Sequence, residues 1–140
     1  MVGGGPAGME ASRILTRHRF KVVLMEKRER LGGMIRLAAS RPFFLTHELL
    51  NIVSWEEREL ARLGVEIHLD REVSAKTIQE MGPDEVVLAT GSEPTLPDLA
   101  RSFPEKCVTL EEHLDGKSTP GKKVLVWGGA HGAEATFCLA

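Results

Sequence analysis

Near the start of the chain, Val2 leads directly into Gly3-Gly4-Gly5-Pro6-Ala7-Gly8, a G-x-G-x-x-G turn. Eighteen positions beyond Gly8, at the end of the apolar run Val22-Val23-Leu24-Met25, stands Glu26. Each residue type in this pattern has a mechanical reason. Gly3 permits a tight strand-to-helix turn, Gly5 lets backbone approach a pyrophosphate, and Gly8 lets the helix lie close on the sheet. The pyrophosphate then rests on free N–H groups at the positive end of a helix dipole. A carboxylate at the tip of the second strand accepts hydrogen bonds from a ribose diol and repels a 2′-phosphate. The pattern therefore favours FAD or NAD over NADP.

The rest of the chain is compatible with such a domain. Its 140 residues suffice for one real core, and 42% hydrophobic with 27% charged residues is ordinary for a soluble globular protein. A net charge of −2, from 18 basic and 20 acidic residues, gives no electrostatic case for nucleic acid or an anionic membrane. No apolar run approaches the roughly 20 residues that span a bilayer, so a cytoplasmic protein is expected. Cys107 and Cys138 form no C-x-x-C motif and read as small buried hydrophobes rather than a redox or metal pair.

Hydrophobic periodicity predicts strands alternating with helices. Ala7, Ala11, Ile14 and Leu15 share a helical face after the glycine turn, and Lys21–Glu26 reads as a strand covered on both sides. Leu45, Leu49, Ile52, Val53, Leu60 and Leu63 keep helical spacing, with Thr46 as a candidate cap and Gly64 just past the end. Val65–Leu69 reads as a strand, and Ser74–Met81 as a short helix stopped by Gly82-Pro83. Glu85–Ala89 reads as a further buried strand leading into Thr90-Gly91. Pro94, Pro97 and Pro104 break up the next stretch, Thr109 and Glu112 suit a capping box, and Lys122–Trp127 reads as a last strand. The expected fold class is α/β, a Rossmann-like parallel sheet with helices on both faces and right-handed crossovers, truncated at both ends.

Other polar groups have plainer readings. Glu56, Glu57, Arg58 and Glu59 look like the solvent face of a helix, and Trp55 and Trp127 like core aromatics. Asp70 and Glu72 fit a strand-end turn, Arg28 to Arg30 a solvated turn of mixed charge, and His131 a solvent-facing loop. No Ser/His/Asp or Cys/His arrangement supports nucleophilic catalysis. The chain carries a cofactor cradle and no substrate chemistry.

Taken in order, Val2–Ala11, Glu26-Lys27-Arg28, Arg30-Leu31-Gly32-Gly33 and Val87-Leu88-Ala89-Thr90-Gly91 resemble one flavoenzyme group. They are similar to the C-terminal dinucleotide-binding region of the 2,4-dienoyl-CoA reductase, trimethylamine dehydrogenase and NADH oxidase family, which carries an old-yellow-enzyme-like barrel in front. The resemblance implies that Gly3, Gly5, Pro6, Ala7 and Gly8 surround an FAD pyrophosphate. It places Glu26 on the adenosine ribose with Lys27 beside it, and Gly33 near the flavin side of the pyrophosphate. Val73 would offer main-chain groups to adenine, and Thr90-Gly91 would close the pocket.

The resemblance also implies a division into a partial FAD-binding domain, 1–121, and the start of a second, NAD(P)-type unit, 122–140. In the intact enzyme electrons would pass from reduced NAD(P) to FAD and on toward an enoate or enoyl thioester. The barrel and the remaining FAD/NAD(P) domains would be partners supplied from outside this chain, which by itself would be inactive. The alternative is a non-catalytic module that binds ADP alone, or a structural module without turnover.

Four departures from the family pattern stand out. Only Met1 and Val2 precede the glycine turn, Met34 replaces the usual glutamine after Leu-Gly-Gly, and Arg17-His18-Arg19 lacks the usual turn glycine. In the second glycine device, Val126–Glu134, Trp127 stands where the first glycine belongs. A two-residue central strand leaves neighbouring strands with unpaired backbone groups. Lys123–Trp127 is then expected to pair with an open edge, within the chain or in a second copy as a homo-oligomer.

Overall fold

The computed structural model describes residues 1–40, 46–119 and 121–128. By contacts the chain forms two compact units, Met1–Arg36 with His47–Ser92, and Leu37–Thr46 with Glu93–Ala140. In chain order the elements are α1 (Pro6–Arg17), β1 (Val23–Met25), α2 (Met34–Ala38), α3 (Thr46–Leu63), β2 (Glu66–His68) and α4 (Ala75–Met81). They continue with α5 (Asp98–Ser102), a 3₁₀ turn at Pro104–Lys106, and α6 (Leu110–Leu114).

In the first unit β1 and β2 pair in parallel, with Leu24 opposite Ile67. Val2 lies between two neighbours, making parallel bridges to both Met25 and Leu88. The Gly3 N–H donates to the Met25 carbonyl at 2.8 Å, and the Ala89 N–H donates to the Val2 carbonyl at 2.8 Å. The resulting order across the sheet is β2, β1, Val2, Leu88, which is the 3-2-1-4 order of a doubly wound dinucleotide-binding fold. Hydrogen bonding outlasts the regular strands, because the Glu26 N–H donates to the His68 carbonyl and the Asp70 N–H to the Arg28 carbonyl.

Met9, Leu24, Leu31, Val53, Leu60 and Val65 form the core of this unit. Met9 comes from α1, Leu24 from β1, and Val53 and Leu60 from α3, so helices clamp the short sheet. Each such side chain taken fully from water contributes roughly 1.5–3 kcal/mol. Pro6 begins α1 without an N–H that would otherwise lack a partner. α4 starts on a Ser74–Thr77 capping box and stops at left-handed Gly82, as its sequence requires. In the second unit Thr109 and Glu112 form the expected capping box at the start of α6.

Several expectations are corrected. The strands expected over Lys21–Glu26 and Val65–Leu69 shorten to Val23–Met25 and Glu66–His68. Glu85–Ala89 is not a buried strand: it makes one bridge at Leu88, which is 69% exposed because nothing pairs on its outer edge among the described residues. Lys122–Trp127 forms no strand, since no pairing partner is supplied to it among the described residues. Trp55 and Trp127 are exposed rather than core; Trp55 lies on the outside of α3 with the Arg13 guanidinium 5.5 Å from its ring centre. Ile52 also faces outward, and Cys107 is half-buried. The turn that lacks a glycine is made by Arg19 itself, at φ 70°. That left-handed conformation costs a non-glycine residue about 1–2 kcal/mol. His131 and Cys138 lie outside the described residues.

The largest correction concerns α3. Glu56 shares the inward stripe with Val53 and Leu60 and is only 8% exposed, and its Oε2 has no hydrogen-bond partner among the described residues. Burial pushes its carboxyl above the usual carboxylate range, and the neighbouring Glu10 carboxyl adds to the rise. Arg13 cannot relieve this fully, because both its Nε and Nη2 are held by Glu10 at 2.6 and 2.7 Å. A pKa raised on folding means that the folded state holds the proton more tightly. Stability from this group is then present at low pH and lost as pH climbs from about 4.5 through the folded value. Glu56→Gln is expected to match the parent in melting temperature near pH 4 and to exceed it at pH 7. The gain should be about 1 kcal/mol, or roughly 3–5 °C. Paired thermal melts across that range check it, and an equal or lower melting temperature at pH 7 would show that Glu56 is adequately solvated.

Candidate nucleotide site

Val2, Met25, His68 and Leu88 all run in parallel, so the residues that follow them meet at one edge of the sheet. That edge, at the carboxyl ends of the strands, is where open α/β sheets take ligands. It brings together the Gly3–Gly8 turn, Glu26 and the Ala89-Thr90-Gly91 segment.

The glycines of the turn differ in what they do. Gly3 sits at φ 104°, and a Cβ there would fall on the Ala89 carbonyl oxygen. A Cβ on Gly8 would fall on the Gly3 carbonyl oxygen, so this glycine lets α1 close onto the strand end. Gly4 is hemmed in by the Leu31 and Glu26 side chains. Gly5 is different: its backbone is at φ −75° and ψ −177°, open to any residue, and nothing lies within 4 Å of where its Cβ would be. Among the described residues no neighbouring atom demands a glycine at position 5.

Gly5 is also the N-cap of α1, with no side-chain cap and no acidic residue in the first helical turn. The N–H groups there and the positive end of the helix dipole are left for an anion. Pro6 and Ala7 form the exposed first turn beside this opening. Gly33 closes the other side, since a Cβ on it would lie 3.0 Å from the Gly5 Cα. Gly32 ties the two segments together by donating its N–H to the Gly4 carbonyl at 2.8 Å.

Glu26 is buried, at 7% exposure. Its Oε2 accepts from the Gly4 N–H at 2.6 Å and its Oε1 from the Arg28 N–H at 2.8 Å. The carboxylate therefore stabilises the turn as well as facing the edge. These two bonds use about two of its roughly four acceptor positions. Lys27 beside it is exposed. The Arg71 N–H donates to the Glu26 carbonyl at 2.9 Å, which places Val73, half-buried, two residues farther along. Thr90 is exposed and Gly91 takes φ 81° just beyond the strand end.

Two residues of this neighbourhood were not evident from the pattern. Arg36 donates from Nε to the Leu31 carbonyl at 2.5 Å and from Nη2 to Glu57 Oε1 at 2.7 Å. Arg36 has no place in the glycine pattern, and Glu57 reads as solvent face. Among the described residues no cluster of three His, Cys, Asp or Glu side chains could hold a metal ion. No helix there is long and apolar enough to cross a membrane.

The fold is Rossmann-like, and residues 1–63 match the family model of the NAD(P)-binding Rossmann-like domain. Over most of its length the chain is similar to a segment of larger oxidoreductases. It is 36% identical to NADH oxidase of Thermoanaerobacter brockii, covering 100% of this chain and 22% of that protein. It is 41% identical to cinnamate reductase of Clostridium sporogenes, covering 92% of this chain and 19% of that one. Among solved structures, 2-naphthoyl-CoA reductase in complex with 2-naphthoyl-CoA superimposes with a TM-score of 0.78. That match has 29% identity and covers 86% of this chain and 18% of the other. The chain thus spans about a fifth of the length of the relatives it matches.

Proposed function

We propose that this chain is the FAD-binding portion of a flavin-dependent NAD(P)H oxidoreductase. The observation that carries the reading is Gly5, a glycine at an uncapped helix N-terminus whose side-chain direction is empty. The groups present fit the adenosine diphosphate half of such a cofactor. Gly5, Pro6, Ala7 and the α1 N-terminus would hold the pyrophosphate, and Glu26 would accept from the ribose. Lys27 would flank the ribose, Val73 would offer main-chain groups to adenine, and Gly33 and Thr90-Gly91 would border the pocket. When bound, the flavin supplies the electron transfer; the protein supplies position.

In this reading 1–121 belongs to the FAD domain and 122–140 opens an NAD(P)-type unit. Barrel and remaining domains, as in a 2,4-dienoyl-CoA reductase-like enzyme, would direct electrons toward an enoate or enoyl thioester. The similarity to a cinnamate reductase and to an NADH oxidase supports this direction. The second reading, a module that takes ADP alone, is favoured by Met34, a half-exposed thioether next to Gly33 that offers a flavin no strong hydrogen bond.

A visible spectrum and calorimetry separate the two. Purified protein loaded with FAD should absorb near 450 nm (an approximate property of flavins) and take up ADP in competition. Glu26→Ala should weaken both ligands by about 1–3 kcal/mol through loss of the charged hydrogen bond to the ribose. ADP uptake without FAD would select the second reading, and no uptake of either would remove nucleotide binding altogether.

A further inference from the structure

We infer that Arg36, held by Glu57, is a positioning residue that sets the width of the pyrophosphate cleft. This rests on the nucleotide-binding reading above. The cleft at Gly5 has two walls: the α1 N-terminus and the Leu31-Gly32-Gly33 turn. The first wall is anchored by the sheet through Gly3 and Glu26. The second has no regular secondary structure of its own until α2 begins at Met34.

Leu31 packs in the core with Val53 and Leu60, and a polar relay from α3 adds to that hold on the second wall. Glu57 accepts from Arg36 Nη2 at 2.7 Å, and Arg36 Nε donates to the Leu31 carbonyl at 2.5 Å. The next residue, Gly32, donates its N–H to the Gly4 carbonyl at 2.8 Å. Gly33 then comes so close that a Cβ on it would stand 3.0 Å from the Gly5 Cα. A planar guanidinium suits this task, because its fork bonds a carbonyl and a carboxylate at once with little freedom to shift. Arg36 is also packed beneath the turn, its Cγ 3.0 Å from where a Cβ on Gly32 would be. Without the guanidinium, the Leu31 carbonyl loses its donor and the turn loses its polar tie to α3, while Leu31 keeps its place in the core beside Val53 and Leu60.

The test compares Arg36→Met, Arg36→Lys and Glu57→Gln with the parent chain by ADP calorimetry and by amide hydrogen exchange at Gly32 and Leu24. Arg36→Met should bind ADP about tenfold more weakly, the scale expected when a supporting rather than a contacting group is lost. Arg36→Lys, which keeps a donor for one of the two partners, should recover most of that loss, and Glu57→Gln should fall between them. The Gly32 amide should exchange faster in Arg36→Met, with Leu24 unchanged. If Arg36→Met fails to fold, Glu57→Gln decides by the same two measurements. Parent-like ADP affinity in Arg36→Met, or in Glu57→Gln where Arg36→Met does not fold, overturns the assignment, as does unchanged Gly32 exchange. Failure of the parent chain to bind ADP overturns the nucleotide reading and this assignment with it.

Discussion

Gly5→Val should leave the fold intact while reducing ADP affinity at least about a hundredfold, roughly 3 kcal/mol. The backbone at Gly5 is extended, with φ −75° and ψ −177°, so a branched residue adopts it without strain. Its Cβ would meet nothing within 4 Å among the described residues, so the branch point itself displaces no neighbour. Exchanging one N-cap residue for a poorer one costs at most about 1 kcal/mol. The added isopropyl group would stand where a pyrophosphate has to reach the N–H groups of α1. A short-range block of that kind removes the ion-to-dipole interaction and cannot be offset by a small adjustment of the helix. Circular dichroism melts and ADP calorimetry on the same sample separate the two effects. A variant that binds ADP like the parent would mean that the anion enters elsewhere and that the glycine turn is structural only.

The parts of the fold that could be read from sequence are those set by local chemistry. Pro6 at the first helical position, the Ser74 and Thr109 capping boxes and the Gly82 stop lie within a few residues of the ends they define. Strand length was harder to read. Glu85–Ala89 has the apolar composition of a central strand, but burial depends on a second neighbour that no local pattern encodes. The same holds for Lys122–Trp127, where three apolar positions and a tryptophan have no pairing partner among the described residues. Parallel pairing is non-local by nature, and each strand reads as buried only once its neighbours are in place.

The first wall of the site was legible because a spacing rule links Gly3, Gly5, Gly8 and Glu26. Its second wall was not. Glu57 belongs to the run Glu56–Glu59, which by composition alone looks like solvent face. Position along the helix carried more information than charge. Glu56 is three residues after Val53 and four before Leu60, so it had to fall on the buried stripe. Glu57, one position on, is turned toward Arg36. The spacing of α3, applied to its charged residues as well as its apolar ones, would have found both.

Gly8→Ala should destabilise the chain by about 3 kcal/mol or more, against the sign usual for a helical glycine. In an exposed helix, replacing glycine by alanine gains up to about 1 kcal/mol, through lower entropy in the unfolded chain and better propensity. Gly8 lies inside α1 and is buried, and the new methyl would fall on the Gly3 carbonyl oxygen with Ala89 Cβ 3.4 Å away. A flexible side chain could swing aside; the Gly3 carbonyl belongs to backbone that is hydrogen-bonded to β1 on one side and follows the Val2–Leu88 bridge on the other. The helix itself must therefore lift. Lifting it strains the contacts of Met9 and the buried Ser12 Oγ bond to the Gly8 carbonyl, 2.7 Å long. Overpacking of this kind commonly costs 1–3 kcal/mol, and rigid backbone places the value at the top of that range. Against a typical stability of about 5–15 kcal/mol the loss is large. Urea titrations of Gly8→Ala beside Gly5→Ala measure it directly: the first midpoint should fall sharply and the second should barely move. A raised midpoint for Gly8→Ala would mean that α1 stands farther from the strand end than the close approach of Gly8 to Gly3 requires.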